Sequence, residues 1–169
     1  MKTPLVLVLS FFVAALAAAG CGDEIGDECA ISTDCSPSGE RQCDTSSKGG
    51  YCTIQGCDFS TCPEEAACVR FFTGSFTNRP CDPALEDRGG DNGQDRCSLD
   101  ELCSLVGNCV PRSSEVRFCM RRCSSHGDCR DGYECRDLAL MRAHGGQPVL
   151  EPGREIDESA PKFCAIAPE

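Results

Sequence analysis

Apolar residues are concentrated at the start of the chain and are sparse everywhere else. Residues 5–19 are apolar except for Ser10, and they follow a single basic residue, Lys2. The run is shorter than the roughly 20 residues that a bilayer-spanning helix needs, and it ends in small residues. This pattern is typical of an export signal peptide, so we expect residues 1–20 to be removed from the mature protein.

After residue 20 the chain has too few large apolar residues to fold by burying them alone. Only 23 residues from 21 to 169 are Leu, Ile, Val or Phe, below the level of about a fifth at which a highly charged chain is usually disordered. Burying so little apolar surface does not offset the conformational entropy lost on folding. The pattern leaves two interpretations, a disordered chain or a chain held by covalent cross-links.

Local patterns predict a few short elements. Thr61 and Glu64 form a capping-box pattern at the start of a helix, and Ser98 and Glu101 repeat it. A third helix would end at the glycines 145–146. The predicted helices are 63–70, 98–106 and 138–143, and the predicted strands are 53–54 and 115–118.

The cysteine content distinguishes between a disordered chain and a cross-linked one. The chain has 17 cysteines among 169 residues, a density typical of exported disulfide scaffolds and unusual in reduced cytosolic enzymes. A native disulfide in a small secreted domain contributes about 2–5 kcal/mol, which is comparable to the net stability of such a domain. We therefore predict a small disulfide-rich fold.

The chain is acidic, with a formal net charge of −11. Affinity for a phosphate backbone comes from Lys and Arg, so we expect no nucleic-acid partner. Arg117, Arg121 and Arg122 form a local basic spot that could contact an acidic partner or lipid headgroups. The simpler interpretation of this spot is a solvated face.

The end of the signal peptide carries a more specific motif. Ala18, Ala19 and Gly20 precede Cys21, and the quartet resembles the lipobox of bacterial lipoproteins, although Leu is commonest where this chain has Ala18. The resemblance implies cleavage after Gly20, a diacylglycerol on the Cys21 thiol and acylation of the new amino group. Several acyl chains attach a protein firmly to a membrane. Residues 21–28 would then be the lipidated N-terminus and a short tether.

Ordinary signal-peptidase cleavage after Ala19 is the alternative. It would release a soluble secreted protein with an unpaired thiol at Cys21, which is unusual in secreted proteins. Lipidation removes Cys21 from the count and leaves sixteen cysteines, enough for eight disulfides. Cysteine parity therefore favours the lipoprotein.

The sixteen remaining cysteines divide into two groups of eight. Their gaps agree within two residues through the seventh cysteine, which indicates an internal duplication; chance similarity among dense cysteines is the alternative. Pairing cannot be deduced from spacing, but we expect each group to close its four disulfides internally. The first group is Cys29, Cys35, Cys43, Cys52, Cys57, Cys62, Cys68 and Cys81, and the second is Cys97, Cys103, Cys109, Cys119, Cys123, Cys129, Cys135 and Cys164.

The predicted organisation is two tandem eight-cysteine modules with short strands, short helical turns and long loops. Module 1 covers 29–81 and module 2 covers 97–169. Residues 82–96 carry three glycines and seven charges, which predicts a solvated acidic linker. Module 2 also contains a loop insertion, 143–162, which is the main difference between the modules. Its Gly, Pro and charged residues predict an exposed loop. Insertions in repeat proteins often carry the individual function.

The run 119–135, CMRRCSSHGDCRDGYEC, resembles in its spacing the cysteine-rich modules of secreted proteins from large-genome Gram-negative bacteria. It is also loosely similar to the four-disulfide-core and dickkopf-type modules of animal extracellular proteins. The adjacent cysteine pair usual in four-disulfide-core inhibitors is missing, so no inhibitory residue carries over to this chain.

The sequence offers little support for metal or redox chemistry. Thiolates bind zinc, but no Cys-x2-Cys occurs here, and exported thiols oxidise. Because Cys-x2-Cys is absent, the chain also lacks the motif of thioredoxin-like redox enzymes. Asp87, Asp91, Asn92 and Asp95 offer oxygens suited to calcium, without the twelve-residue loop pattern. We predict no metal and no cofactor.

The two histidines are the remaining catalytic candidates. His126 lies between Ser125 and Asp128, but neighbouring residues of one tight loop do not form a catalytic triad unaided. We predict a polar turn there and a loop residue at His144. The sequence thus favours a non-enzymatic, lipid-anchored interaction or structural protein of the bacterial cell envelope. The alternative is an inhibitor of an extracellular protease or other hydrolase that acts through the loop 143–162, which Cys135 and Cys164 close.

Overall fold

The computed structural model describes residues 24–74, 76, 79–86 and 96–168. The predicted signal peptide 1–20, the lipidation candidate Cys21 and the calcium candidates within 87–95 lie outside the described residues. The small disulfide-rich class predicted from the sequence is confirmed, with eight disulfides, short strands, few helices and long loops. The elements are α1 (Ser32–Cys35), β1 (Gln42–Cys43), β2 (Cys52–Thr53), β3 (Ala66–Phe72), β4 (Glu101–Cys103), β5 (Cys109–Pro111), β6 (Glu115–Arg121), β7 (Tyr133–Arg136), α2 (Leu138–His144), β8 (Gln147–Pro148) and β9 (Phe163–Ile166).

The disulfides group the cysteines in fours. In each four-cysteine unit the first cysteine bonds the third and the second bonds the fourth. The third and fourth cysteines also lie directly opposite each other on two antiparallel strands. Each unit is therefore a two-stranded ladder tied twice to the segment before it. The units are unit 1 (Cys29–Cys43, Cys35–Cys52), unit 2 (Cys57–Cys68, Cys62–Cys119), unit 3 (Cys81–Cys103, Cys97–Cys109) and unit 4 (Cys123–Cys135, Cys129–Cys164).

Unit 3 is inserted into unit 2. The strands of unit 2 are β3 and β6, and unit 3 occupies the connection between them. The expectation that each group of eight cysteines closes internally is therefore wrong for two bonds, Cys62–Cys119 and Cys81–Cys103. The physical reason is the sheet: β3 and β6 pair along seven residues, which brings Cys119 back to the first half of the chain.

The core lies where units 1, 2 and 4 meet. The central sheet has the strand order β6-β3-β8, and Val69 of β3 is fully buried in it. Ile25, Met141 and Phe163 pack in the same cluster, so the segment before unit 1, helix α2 and strand β9 all contribute. Many of the other buried core residues are disulfide-bonded cysteines, which explains how so few large apolar residues suffice.

The predicted local elements have mixed outcomes. Helix α2 is confirmed, with the Asp137 carboxylate accepting the Leu140 N–H at its N-terminus. The predicted strand 115–118 is confirmed as the first part of β6, and Thr53 lies in β2 as expected, whereas Ile54 follows that strand. The helices predicted at 63–70 and 98–106 are wrong, because those segments form β3 and β4 instead.

Both wrong helices begin at a single closed turn. The Ser98 N–H donates to the Glu101 carboxylate, and the Glu101 N–H donates to the Ser98 carbonyl. The capping pattern therefore closes one turn and stops, since Cys103 must lie opposite Cys109 on the neighbouring strand. At the other site Cys68 is held opposite Cys119 in the same way.

Candidate interaction surface

The clustered sulfurs are disulfides. In each unit three cysteine sulfurs lie within 4.8 Å of one another, a separation that would suit a metal ion if they were thiolates. Every one of these sulfurs belongs to a disulfide bond. Zinc binds the thiolate, so these groups serve as cross-links.

His126 lies on an exposed turn, as predicted. Asp128 is occupied within the same turn, where its carboxylate accepts the N–H groups of Ser124 (2.7 Å) and Ser125 (2.8 Å). These hydrogen bonds lower the pKa of Asp128. The Ser–His–Asp run is therefore the geometry of a tight turn.

The prediction of a loop residue at His144 is wrong, and His144 belongs to a polar cluster that the sequence analysis missed. It is the last residue of α2, and its Nδ1 lies 2.7 Å from Glu134 Oε1. Arg136 Nε donates to the same oxygen at 3.0 Å. Glu134 and Arg136 are adjacent along one face of β7, and both side chains are at least nine-tenths buried.

The Arg136 guanidinium joins three elements at this point. It donates to the backbone carbonyls of His144 (2.8 Å) and Gly145 (2.9 Å) at the end of α2, and to Ile166 (2.7 Å) in β9. Burial lowers the pKa of Arg136, while the bond to Glu134 opposes that shift. Every contact of the guanidinium is internal, which indicates a structural role.

The basic spot predicted at 117–122 is not a free cationic surface. Arg117 contacts Glu115 and Asp58, and Arg121 contacts Glu24 and Asp27. The Arg122 Nε donates to the backbone carbonyl of Ala66 at 2.8 Å.

The loop insertion 143–162 contains a buried strand between two exposed stretches, 143–145 and most of 151–159. Gln147 and Pro148 form β8 and are buried against β3, so the prediction of an exposed loop is wrong at this strand. Most residues from 151 to 159 are exposed, and the loop returns to the interior at Ala160. Both ends are therefore fixed while a short central segment faces solvent.

Unit 3 displays apolar side chains to solvent. Five large apolar side chains are exposed among the described residues, and Leu85, Leu99 and Val106 of unit 3 are three of them; Leu99 is fully exposed. The others are Ile31 and Phe59. A compact, twice-bonded unit that presents apolar groups is a candidate surface for binding.

The backbone around Leu99 is held from two sides. Leu99 is the second residue of the turn that Ser98 and Glu101 close. Arg112 adds two bonds, from Nε to the Leu99 carbonyl (3.4 Å) and from its N–H to the Asp100 carbonyl (2.9 Å). A fully exposed leucine thus stands on a fixed turn, beside the exposed residue Asp100.

Comparisons with known protein families, curated proteins and solved structures found no match for the chain. Among the described residues no helix is both long and apolar enough to cross a bilayer. The eight disulfides are those of a protein in an oxidising compartment.

Proposed function

We propose that this protein is an exported, lipid-anchored component of the bacterial cell envelope that binds a partner and catalyses no reaction. The anchor is a lipid on Cys21, and the disulfide-bonded body is a rigid binding scaffold on the membrane surface. No nucleic acid, metal or cofactor takes part.

The pairing of the cysteines is the observation that carries the proposal. All sixteen cysteines from Cys29 onward are used in eight disulfides. Cys21 is the one cysteine left over, and it follows the small residues that resemble a lipobox. A leftover cysteine is unusual in a secreted protein, and acylation of its thiol accounts for it.

The test is the intact mass of the membrane-extracted protein, alkylated without prior reduction. We expect a chain that begins at Cys21, carries acyl groups and contains no alkylated thiol. A Cys21→Ser variant should lose the acyl mass and leave the membrane fraction. An unacylated chain with one alkylated thiol would refute the anchor, and many alkylated thiols would refute the scaffold.

Inhibition of an extracellular protease is a second candidate function, favoured by the loop insertion. Its two fixed ends would reduce the entropy lost when the exposed middle binds an enzyme. Arg154 is exposed there and would suit an arginine-specific protease. The measurement is inhibition of trypsin by the intact protein. An inhibition constant that rises at least tenfold in Arg154→Ala, and is unchanged in the control Arg142→Ala, supports this candidate; no inhibition refutes it for trypsin-like enzymes.

A further inference from the structure

The proposed lipid anchor would attach to one end of the described structure. Ile25 is fully buried, and only residues 22–24 separate it from Cys21, so the two Cα atoms can be at most about 14 Å apart. A Cβ on Gly26 would lie 2.9 Å from the Cβ of Arg121, and Arg121 pairs with Asp27 at 3.2 Å. A lipid on Cys21 would therefore tether the body near the Arg121 end of β6, close to the headgroups.

Unit 3 lies at the opposite end of the same strand. From Arg121 back to Glu115, β6 is paired with β3 at every residue, a length of about 20 Å at the usual rise per residue. Unit 3 ends just before Glu115. The bond from the Arg112 N–H to the Asp100 carbonyl places the Leu99 turn beside this far end.

We propose that unit 3 is the membrane-distal binding end of the molecule, and that Leu99 inserts into an apolar pocket with a basic rim on a protein partner. The proposal rests on the lipid anchor proposed above. Because the turn that carries Leu99 is already fixed, little backbone entropy is lost on binding.

Charge and position select a protein partner. The exposed carboxylate of Asp100 next to Leu99, in a chain of net charge −11, favours a cationic rim and opposes association with a second copy of this chain. The length of the β3–β6 ladder separates Leu99 from the anchoring bilayer. A lipid surface therefore fits this site less well than a basic protein surface does.

The first experiment measures the orientation of the full acylated protein. The chain has no tryptophan, so Glu28→Trp, at the anchor end, and Leu99→Trp, in unit 3, are single fluorescent probes without background. The proteins are placed in phosphatidylcholine vesicles that contain a headgroup nitroxide lipid as quencher. We expect strong quenching in Glu28→Trp and several-fold weaker quenching in Leu99→Trp. Equal quenching of the two variants overturns the orientation.

Mass spectrometry of the same samples separates the two proposals. If the protein carries no acyl group, the proposed anchor has failed. If it is acylated and the two probes are quenched equally, the anchor stands and the distal position of unit 3 has failed.

The second experiment identifies the partner by photocrosslinking in cells that make the acylated protein. A photoreactive phenylalanine analogue replaces Leu99 in one variant and the exposed Ile31 in the control. We expect a protein adduct at position 99 that is absent at position 31. The crosslinked partner is then purified, and its affinity for variants of this protein is measured. The affinity should fall at least tenfold for Leu99→Asp and should also fall for Asp100→Asn at low salt. It should stay within twofold for the control Ile31→Asp.

Three crosslinking results would overturn the proposal. They are an adduct with a second copy of the chain, an adduct with lipid alone, and no adduct at position 99. An identified partner whose affinity is insensitive to Leu99→Asp would overturn it as well.

Discussion

The ring of Tyr51 in unit 1 stacks on the ring of Tyr133 in unit 4, with centroids 5.5 Å apart. Arg130 lies over the Tyr133 ring at 4.3 Å. The Tyr51 hydroxyl donates to the Cys164 carbonyl at 3.3 Å and accepts the Arg121 N–H at 3.0 Å. The first and last units are thus joined through side chains without a disulfide between them.

Tyr51 should resist ionisation in alkali. Burial raises the pKa of Tyr51 well above its ordinary value of 10.0. The folded chain therefore retains a proton that the unfolded chain releases, so this contribution to stability is intact below pH 10 and is lost as pH rises further. In a Tyr133→Phe variant, absorbance at 295 nm should not rise near pH 10 and should increase only together with loss of near-UV circular dichroism. A simple titration near pH 10 would contradict the buried hydroxyl.

Removing Arg136 should destabilise the fold strongly. Arg136→Met leaves the carbonyls at the end of α2 and in β9 without their donor and breaks a buried pair with Glu134. We expect a loss of about 3 kcal/mol in the free energy of unfolding, measured by urea denaturation under non-reducing conditions. The matched control is Arg142→Met on the exposed face of α2, with an effect within about 0.5 kcal/mol. Equal effects would contradict the structural role of Arg136.

Two turn aspartates should make stability fall in acid. The Asp34 carboxylate accepts hydrogen bonds from the N–H groups of Ala30 and Ile31. The Asp128 carboxylate accepts hydrogen bonds from the N–H groups of Ser124 and Ser125. These hydrogen bonds lower the pKa of both aspartates below 3.8. Their contribution is present above pH 3.8 and is lost as pH falls through the lowered values.

The test is a comparison of wild type with Asp34→Asn/Asp128→Asn by urea unfolding at several pH values. The difference in unfolding free energy should be largest near neutral pH and should shrink below pH 3.8. The control is Asp131→Asn, an exposed aspartate outside these turns. A difference that does not change with pH would refute the assignment.

The disulfide that spans the inserted unit should contribute more than its neighbour in unit 2. Cys62–Cys119 has a sequence separation of 57, and Cys57–Cys68 has one of 11. Loop-closure entropy predicts losses of about 4 and about 3 kcal/mol when each pair is replaced by serine. Urea denaturation of the two double variants measures the order, and peptide mapping of the wild type checks the pairing. Recovery of a peptide linking Cys62 to another cysteine would refute the nested arrangement.

Composition predicted the class of fold. A chain with few large apolar residues and many cysteines can become stable only through disulfide cross-links. It could not predict the pairing. The recurring gap of five residues between successive cysteines is visible in the sequence, but the third and fourth cysteines of a unit are separated by connections of very different length. In unit 2 that connection contains the whole of unit 3. The spacing therefore suggested a repeat of eight cysteines, whereas the disulfide pairing repeats every four cysteines.

The candidate surface was harder to predict than the fold. Leu99 lies within a capping pattern that favours a helix, and only the pairing of Cys103 opposite Cys109 shows that the pattern closes a turn. The contacts of Arg136 with α2 and β9 depend on residues that are brought together by folding. The helix at 138–144 was predictable because its signals, Asp137 and the following glycines, are local.

The insertion of unit 3 has a consequence for how such a protein can diversify. Because the unit carries both of its own disulfides and joins the body at the neighbouring ends of β3 and β6, its exchange would leave the other six bonds with their partners. Recombination at this junction could therefore replace the binding end while the scaffold is inherited unchanged. A chimera carrying a foreign two-disulfide unit between Phe72 and Glu115 would be a direct way to transfer a binding specificity.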